Sequence, residues 1–248
     1  ILSEERNGLW GYSLDSPLDS DDTVFALRAL QKLNKTINID NIFSFYTEKG
    51  FTTFLTNTSP KLVFEPNVTN NEQIHPEVNA NIYKLLANSH FSDYIDYNLV
   101  LKSQDTKGYW YSYFYPGKYY STYLNLDIIC TSNKLNEAKE KGLFFLTDSQ
   151  NDDGSWGSPG NAYETVLALN SLAACNIFNV QFEKGIMFLL NNQSLDGSWS
   201  SSNVIWEYYY NQEPLVIWRA FDSNHVITTS LSVKALKRAI DHYQNKKI

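Results

Sequence analysis

Three stretches of this chain spell one pattern: Gln104-Asp105-Thr106-Lys107-Gly108-Tyr109-Trp110, Gln150-Asn151-Asp152-Asp153-Gly154-Ser155-Trp156 and Gln193-Ser194-Leu195-Asp196-Gly197-Ser198-Trp199. Each is Q-x-x-x-G-x-W. The tryptophans stand 46 and 43 residues apart, and self-similarity at a fixed period of this length marks a fold built from stacked supersecondary units. Gly8-Leu9-Trp10 reads as the tail of another copy, and Glu48-Lys49-Gly50-Phe51 as a degraded one between Trp10 and Trp110. Apolar spacing predicts an amphipathic helix before each turn, over 39–48, 91–102, 135–147 and 180–191. A more apolar helix follows each turn, over 22–33, 77–88, 121–131, 162–174 and 228–242. The unit is a helix, a turn and a more buried helix of about 45 residues. The expected fold is therefore all-α, from about five helix pairs, as one domain over 1–248. The Gln is expected to tie one helix end to the backbone of the next repeat, with the Trp packed against it.

One stretch carries more than architecture. Asp19-Ser20-Asp21-Asp22-Thr23 puts three carboxylates in four positions directly before the helical run Val24-Phe25-Ala26-Leu27-Arg28-Ala29-Leu30. One Asp is enough to cap a helix and face the positive end of its dipole. Three crowded together repel one another, so that in a partly dry site at least one keeps its proton near neutral pH. Capping with solvation and acid chemistry both remain open on these residues alone.

The repeat resembles that of the superfamily of squalene–hopene cyclases, oxidosqualene cyclases and protein prenyltransferases. Asp19-Ser20-Asp21-Asp22-Thr23 resembles the D-x-D-D-T motif of class II terpene cyclases in spelling and in place, after a Gly-x-Trp and at the head of an inner helix. The resemblance implies an α/α toroid of inner and outer helices. It also implies an enzyme that protonates an alkene or epoxide of an isoprenoid and so starts a carbocationic cyclisation. Asp21 is then the proton donor, assisted by Asp19 and Asp22, and a donor partner is expected on the next inner helix. Asn81, with Asn79 behind it, fills that place. His75 is expected to be a loop histidine.

Aromatic residues make up 15% of the chain, enough either to cement a core or to line an apolar hollow. Runs at 109–115 and 206–210 follow two repeat turns. Trp110, Tyr113, Tyr120, Tyr163, Trp206, Tyr209 and Trp218 are the candidate substrate-binding rings, since a ring face stabilises a cation by about 0.5–2 kcal/mol without offering it a nucleophile. The stretch 203–226 departs furthest from the repeat and is expected to be a long loop or lid. In it Arg219 is expected to grip a diphosphate or carboxylate, or to pair with Asp222.

A net charge of −7 leaves no basic stripe for nucleic acid. No CxxC or HExxH set appears, so no protein metal site is expected; protonation needs no cofactor, and a diphosphate substrate would bring Mg²⁺. Cys130 and Cys175 lie in apolar helical runs at a spacing that does not suggest a disulfide, and are expected to be buried free thiols. No apolar run reaches membrane-spanning length, no signal peptide is visible, and a cytoplasmic protein is expected. The known class II enzymes enclose substrate between two toroids, whereas this chain has helices for one, which leaves room for a partner subunit or second domain closing the cavity. A zinc prenyltransferase subunit, a two-carboxylate α/α glycosidase and a class I synthase lack their ligand sets or leave the repeats unexplained. The alternative is a non-catalytic toroid that binds a prenyl group or lipid, or serves as an interaction scaffold.

Overall fold

The computed structural model describes residues 5–14, 16–55, 74–87, 89–201, 204–210 and 216–246. They form two compact units, residues 1–100 and 101–248. Helices dominate both, and the strands among the described residues pair only into two-stranded ribbons.

In the first unit, α1 (Ser20–Lys32) starts where the Asp19 carboxylate accepts the amides of Asp21 and Asp22. Such a cap is worth about 1 kcal/mol. A 3₁₀ helix (Ile39–Phe45) follows, then a tight ribbon of β1 (Tyr46–Thr47) and β2 (Gly50–Phe51), then α2 (Pro76–Leu86), whose first position is a proline. A 3₁₀ turn (Ser92–Tyr94) leads into α3 (Tyr97–Lys102), which runs across the boundary of the units. The outer segments expected as full helices over 39–48 and 91–102 are thus shorter and tighter. Rings take up the space: Phe43 packs within 6.0 Å, centroid to centroid, of Tyr46, Phe51, Phe91 and Tyr94.

The second unit holds α4 (Tyr119–Ser132), α5 (Asn136–Asp148), the ribbon β3 (Trp156–Gly157) with β4 (Gly160–Asn161), α6 (Ala162–Ala174), α7 (Val180–Asn191) and α8 (Val226–Asn245). α6 packs against α4 and α8 on its flanks and α7 on a third side, and most of its side chains are buried. The stretch expected as a long loop is instead an antiparallel hairpin of β5 (Val204–Tyr210) and β6 (Val216–Phe221). Runs rich in β-branched and aromatic residues, Val204-Ile205-Trp206 in β5 and Val216-Ile217-Trp218 in β6, suit strands better than coil.

The repeat signature has a physical basis in both units. The backbone amide of each repeat aromatic donates to a side-chain oxygen in the first turn of the following inner helix: Trp10 to Thr23, Phe51 to Asn79, Trp110 to Thr122, Trp156 to Thr165 and Trp199 to Thr229, all at 2.8–3.1 Å. The Gln closes the turn. Nε2 of Gln104 donates to the carbonyls of Gly108 and Ala138, and that of Gln150 to those of Gly154 and Gln181, which is the tie to the next outer helix that the sequence implied. Gly108 has φ +99°, and a Cβ there would lie 2.1 Å from the Lys141 carbonyl oxygen, so only glycine fits.

Cys130 and Cys175 form a disulfide, which corrects the expectation of free thiols. Cys130 lies near the end of α4 and Cys175 caps the end of α6. Because the bridge joins neighbouring helices 45 residues apart in sequence, about one repeat, the spacing that seemed uninformative is the spacing that brings the two together.

Candidate active site

Trp10 and Thr53 fix the chain on either side of the acidic triplet: the Asp19 amide donates to the Trp10 carbonyl and the Ser20 amide to the Thr53 carbonyl, each at 2.8 Å. Asp19 is the cap. Burial, then the charges of Asp22 and Asp21, push its pKa well above the usual carboxylate range. Two like charges about 4 Å apart repel by about 4 kcal/mol near a protein surface, and holding an ordinary Asp protonated at pH 7 costs about the same. Burial then decides for protonation, and the proton belongs to the coupled group. Asp19 is thus a member of the triplet that burial and its neighbours drive towards protonation.

Asp21 is turned elsewhere. Nδ2 of Asn81, a fully buried residue of α2, donates to its Oδ1 at 2.8 Å. Nη1 of Arg28, two turns along α1 from Asp21, donates to the Oδ1 of Asn81 at 2.5 Å. The sequence paired Asp21 with Asn81 but had no signal for Arg28, which reads there as one cation in an amphipathic helix. Asn79, offered as a substrate contact, is part of the frame instead: fully buried, its side chain accepts from the Phe51 amide and donates to the carbonyls of Phe51 and His75. His75 is more than a loop histidine. It immediately precedes α2, its Nδ1 lies 2.6 Å from the Thr53 hydroxyl, and burial lowers its pKa to about 4.

The candidate rings of the second unit divide by depth. Trp110 is wholly buried, its ring against Gly142 of α5, in the packing between helices. Tyr163 is buried as well, and its phenol pKa is pushed up mainly by that burial. Tyr113 is partly exposed, edge-on to Phe114; Tyr120 stacks on Tyr115 at 3.9 Å; Trp206 lies parallel to Phe114. Tyr209 and Trp218 lie on β5 and β6, their side chains outside the described residues. Nε of Arg219 donates to Oε1 of Glu207 across the hairpin at 2.8 Å. Asp222, the partner considered for it, caps α8 by accepting the amides of Ile227 and Thr228.

Among the described residues no group of three His, Cys, Asp or Glu side chains is arranged to hold a metal ion, and no helix is long and apolar enough to cross a membrane.

An acid triplet at the head of a helix, with an amide of the next helix turned onto its middle member, sits in a fold that is the all-α fold of class II terpene cyclases. The type II terpene cyclase MstE from Scytonema, without ligand, superposes with a TM-score of 0.79 at 20% identity, over 97% of this chain and 80% of that one. MstE has also been solved with its substrate, geranylgeranyl dihydroxybenzoate, and with its product, merosterolic acid A. A protein from Actinoplanes matches equally well, with a TM-score of 0.79 at 21% identity over 96% of this chain and 80% of the other. The ent-copalyl diphosphate synthase of Streptomyces platensis matches over 89% of this chain and 41% of its own length, with a TM-score of 0.63 at 18% identity. No family model and no curated protein matches the chain.

Proposed function

We propose that this chain is a class II terpene cyclase-like enzyme in which Asp21 gives a proton to an alkene or epoxide of an isoprenoid. The observation that carries the reading is the Asn81 amide held 2.8 Å from Asp21 inside the acidic triplet. An alkene is a very weak base, so its acid must be better stabilised after losing the proton than an ordinary carboxyl. An N–H donor on Oδ1 and the positive end of α1 both favour the carboxylate as it forms.

In the step itself the alkene π pair forms a C–H bond with the Asp21 proton, and the O–H bond pair stays on the carboxylate. The carbocation left on the more substituted carbon is attacked by the next double bond, and the last cation loses a proton or takes up a nucleophile. Water returns the proton to Asp21. Asp19, whose pKa burial and the charges of Asp22 and Asp21 push up, keeps a second full negative charge away from the donor.

A geranylgeranyl-bearing aryl acid, a prenyl diphosphate and a free polyene are the substrate classes to test; Mg²⁺ would enter only with the diphosphate. Closure by a second domain or partner draws no support from MstE, whose substrate-bound chain this one spans to 78%. The Cys130–Cys175 disulfide speaks against the cytoplasmic location expected from the sequence, because such bridges persist mainly in oxidising compartments.

The decisive experiment incubates purified protein with geranylgeranyl dihydroxybenzoate, geranylgeranyl and farnesyl diphosphate and squalene, with and without EDTA. Wild type is expected to form a cyclised isomer of one of them, and Asp21→Asn none, with the fold and substrate binding retained. Full activity in Asp21→Asn would end the proton-donor assignment. A lipid that co-purifies and is recovered unchanged after long incubation would point to the binding module.

A further inference from the structure

We infer that Arg28 is a positioning residue for the proton donor: by fixing which end of the Asn81 carboxamide faces Asp21, it makes Asp21 the stronger acid. The inference rests on the reading of Asp21 as the donor and adds a residue to that machinery. A carboxamide has two ends of nearly equal shape and opposite hydrogen-bonding character. Facing a carboxyl group, its NH₂ end favours the ionised form and its oxygen end favours the protonated one. Asn81 alone has no reason to choose.

Arg28 makes the choice. A guanidinium has donors only, and its Nη1 sits on Oδ1 of Asn81; the amide nitrogen is thereby turned to Asp21, where Nδ2 and Oδ1 lie 2.8 Å apart. A flipped amide would set NH₂ against guanidinium, donor against donor. No carboxylate among the described residues forms an ion pair with Arg28, so its charge acts on the amide and through it on Asp21. Because Asn81 is fully buried, water cannot take over the role of fixing the amide. The two links are successive charge-assisted and dipolar bonds of one short chain, Arg28 to Asn81 to Asp21, and such chains polarise one another.

Asp21 has other ionisable neighbours, which any measurement must hold constant. On its own helix these are Asp19 and Asp22. The ionisable groups at the head of α2 are Glu77, which is buried, and His75. None of them is altered in the test.

The test follows the carboxyl ¹³C signal of Asp21, assigned by its loss in Asp21→Asn, through a pH titration of ligand-free protein. In Arg28→Met the amide is free to flip, and the Asp21 titration is expected to move to higher pH; Arg28→Lys, which keeps a donor and a charge, is expected to restore much of it. Arg28→Gln serves if Arg28→Met does not fold. With Asn81→Ala in the background, the same Arg28 substitution is expected to move Asp21 much less, since the amide that transmits the effect is gone. With geranylgeranyl dihydroxybenzoate and geranylgeranyl diphosphate as substrate probes, kcat of Arg28→Met is expected to fall about tenfold or more at unchanged KM. An Asp21 titration that stays put in folded Arg28→Met overturns the inference whatever the activity. So does an equal shift with Asn81 absent, which would mean a direct field and no positioning. A shift with the expected pattern in a protein that turns over none of the probes keeps the Arg28 role and counts against the protonation reading instead.

Discussion

Burial holds the His75 imidazole neutral down to about pH 4, while it holds a proton on Asp19 well above the usual carboxylate range. These pull stability in opposite directions across one pH window. Between about pH 6.5 and pH 4 the unfolded chain protonates His75 and the folded one does not, so stability falls as pH drops through that range, by up to roughly 3 kcal/mol. Above about pH 4 the folded chain keeps the Asp19 proton that the unfolded one loses, so this group's contribution falls as pH rises. Urea unfolding at a series of pH values is expected to show a flatter acid limb in His75→Asn. In Asp19→Asn, which keeps an N-cap acceptor, stability relative to wild type is expected to grow with pH. An acid limb unchanged in His75→Asn would show that another group carries it. The roles of these side chains were legible in part. The D-x-D-D-T spelling and the place of Asn81 led to the pair that the structure brings together. Asn79 misled because an asparagine two positions from a functional one has the same chemistry, and only the Phe51 backbone on both ends of its amide separates frame from site.

The helix pairs fit each other through a ring and a missing side chain. Gly142 of α5 lies under the Trp110 ring and Gly185 of α7 under the Trp156 ring, where an added Cβ would come within 2.7 Å of a ring carbon in each case. Neither glycine has an unusual backbone, so alanine would gain about 1 kcal/mol of helix propensity and lose about 1–3 kcal/mol to overpacking. Gly142→Ala and Gly185→Ala are therefore each expected to lower the unfolding midpoint in urea; a rise in both would mean the rings shift freely. Tryptophan in an aromatic run suits either a substrate contact or a packing role; what places Trp110 at the helix interface is a glycine 32 residues further along the chain. Periodicity found α6 and α7 at their observed ends. It overestimated the outer segments of the first unit, where a cluster of rings around Phe43 packs on short 3₁₀ turns that have no 3.6-residue period to detect. It missed β5 and β6 because a search for helical period reads 203–226 only as a departure from the repeat.

Across the whole chain the five aromatic-amide links from Trp10 to Trp199 account for the repeat count, and they were readable because each needs the same few residue types at the same places. The disulfide was not readable, since two cysteines one repeat apart meet only if consecutive inner helices lie side by side. Closing a loop of this length is worth on the order of 4 kcal/mol in the chain-entropy account. Thermal unfolding with and without reductant is expected to show the reduced form melting lower, and the double variant Cys130→Ala/Cys175→Ala is expected to melt low in both conditions. Equal melting of oxidised and reduced wild type would remove the bridge from the list of what holds α4 to α6. The bridge also has a consequence at the bench. Protein made in a host that keeps its thiols reduced and protein matured in air are two different compounds, lighter or heavier by a pair of hydrogens. An assay for turnover means little until the intact mass shows which of them is in the tube.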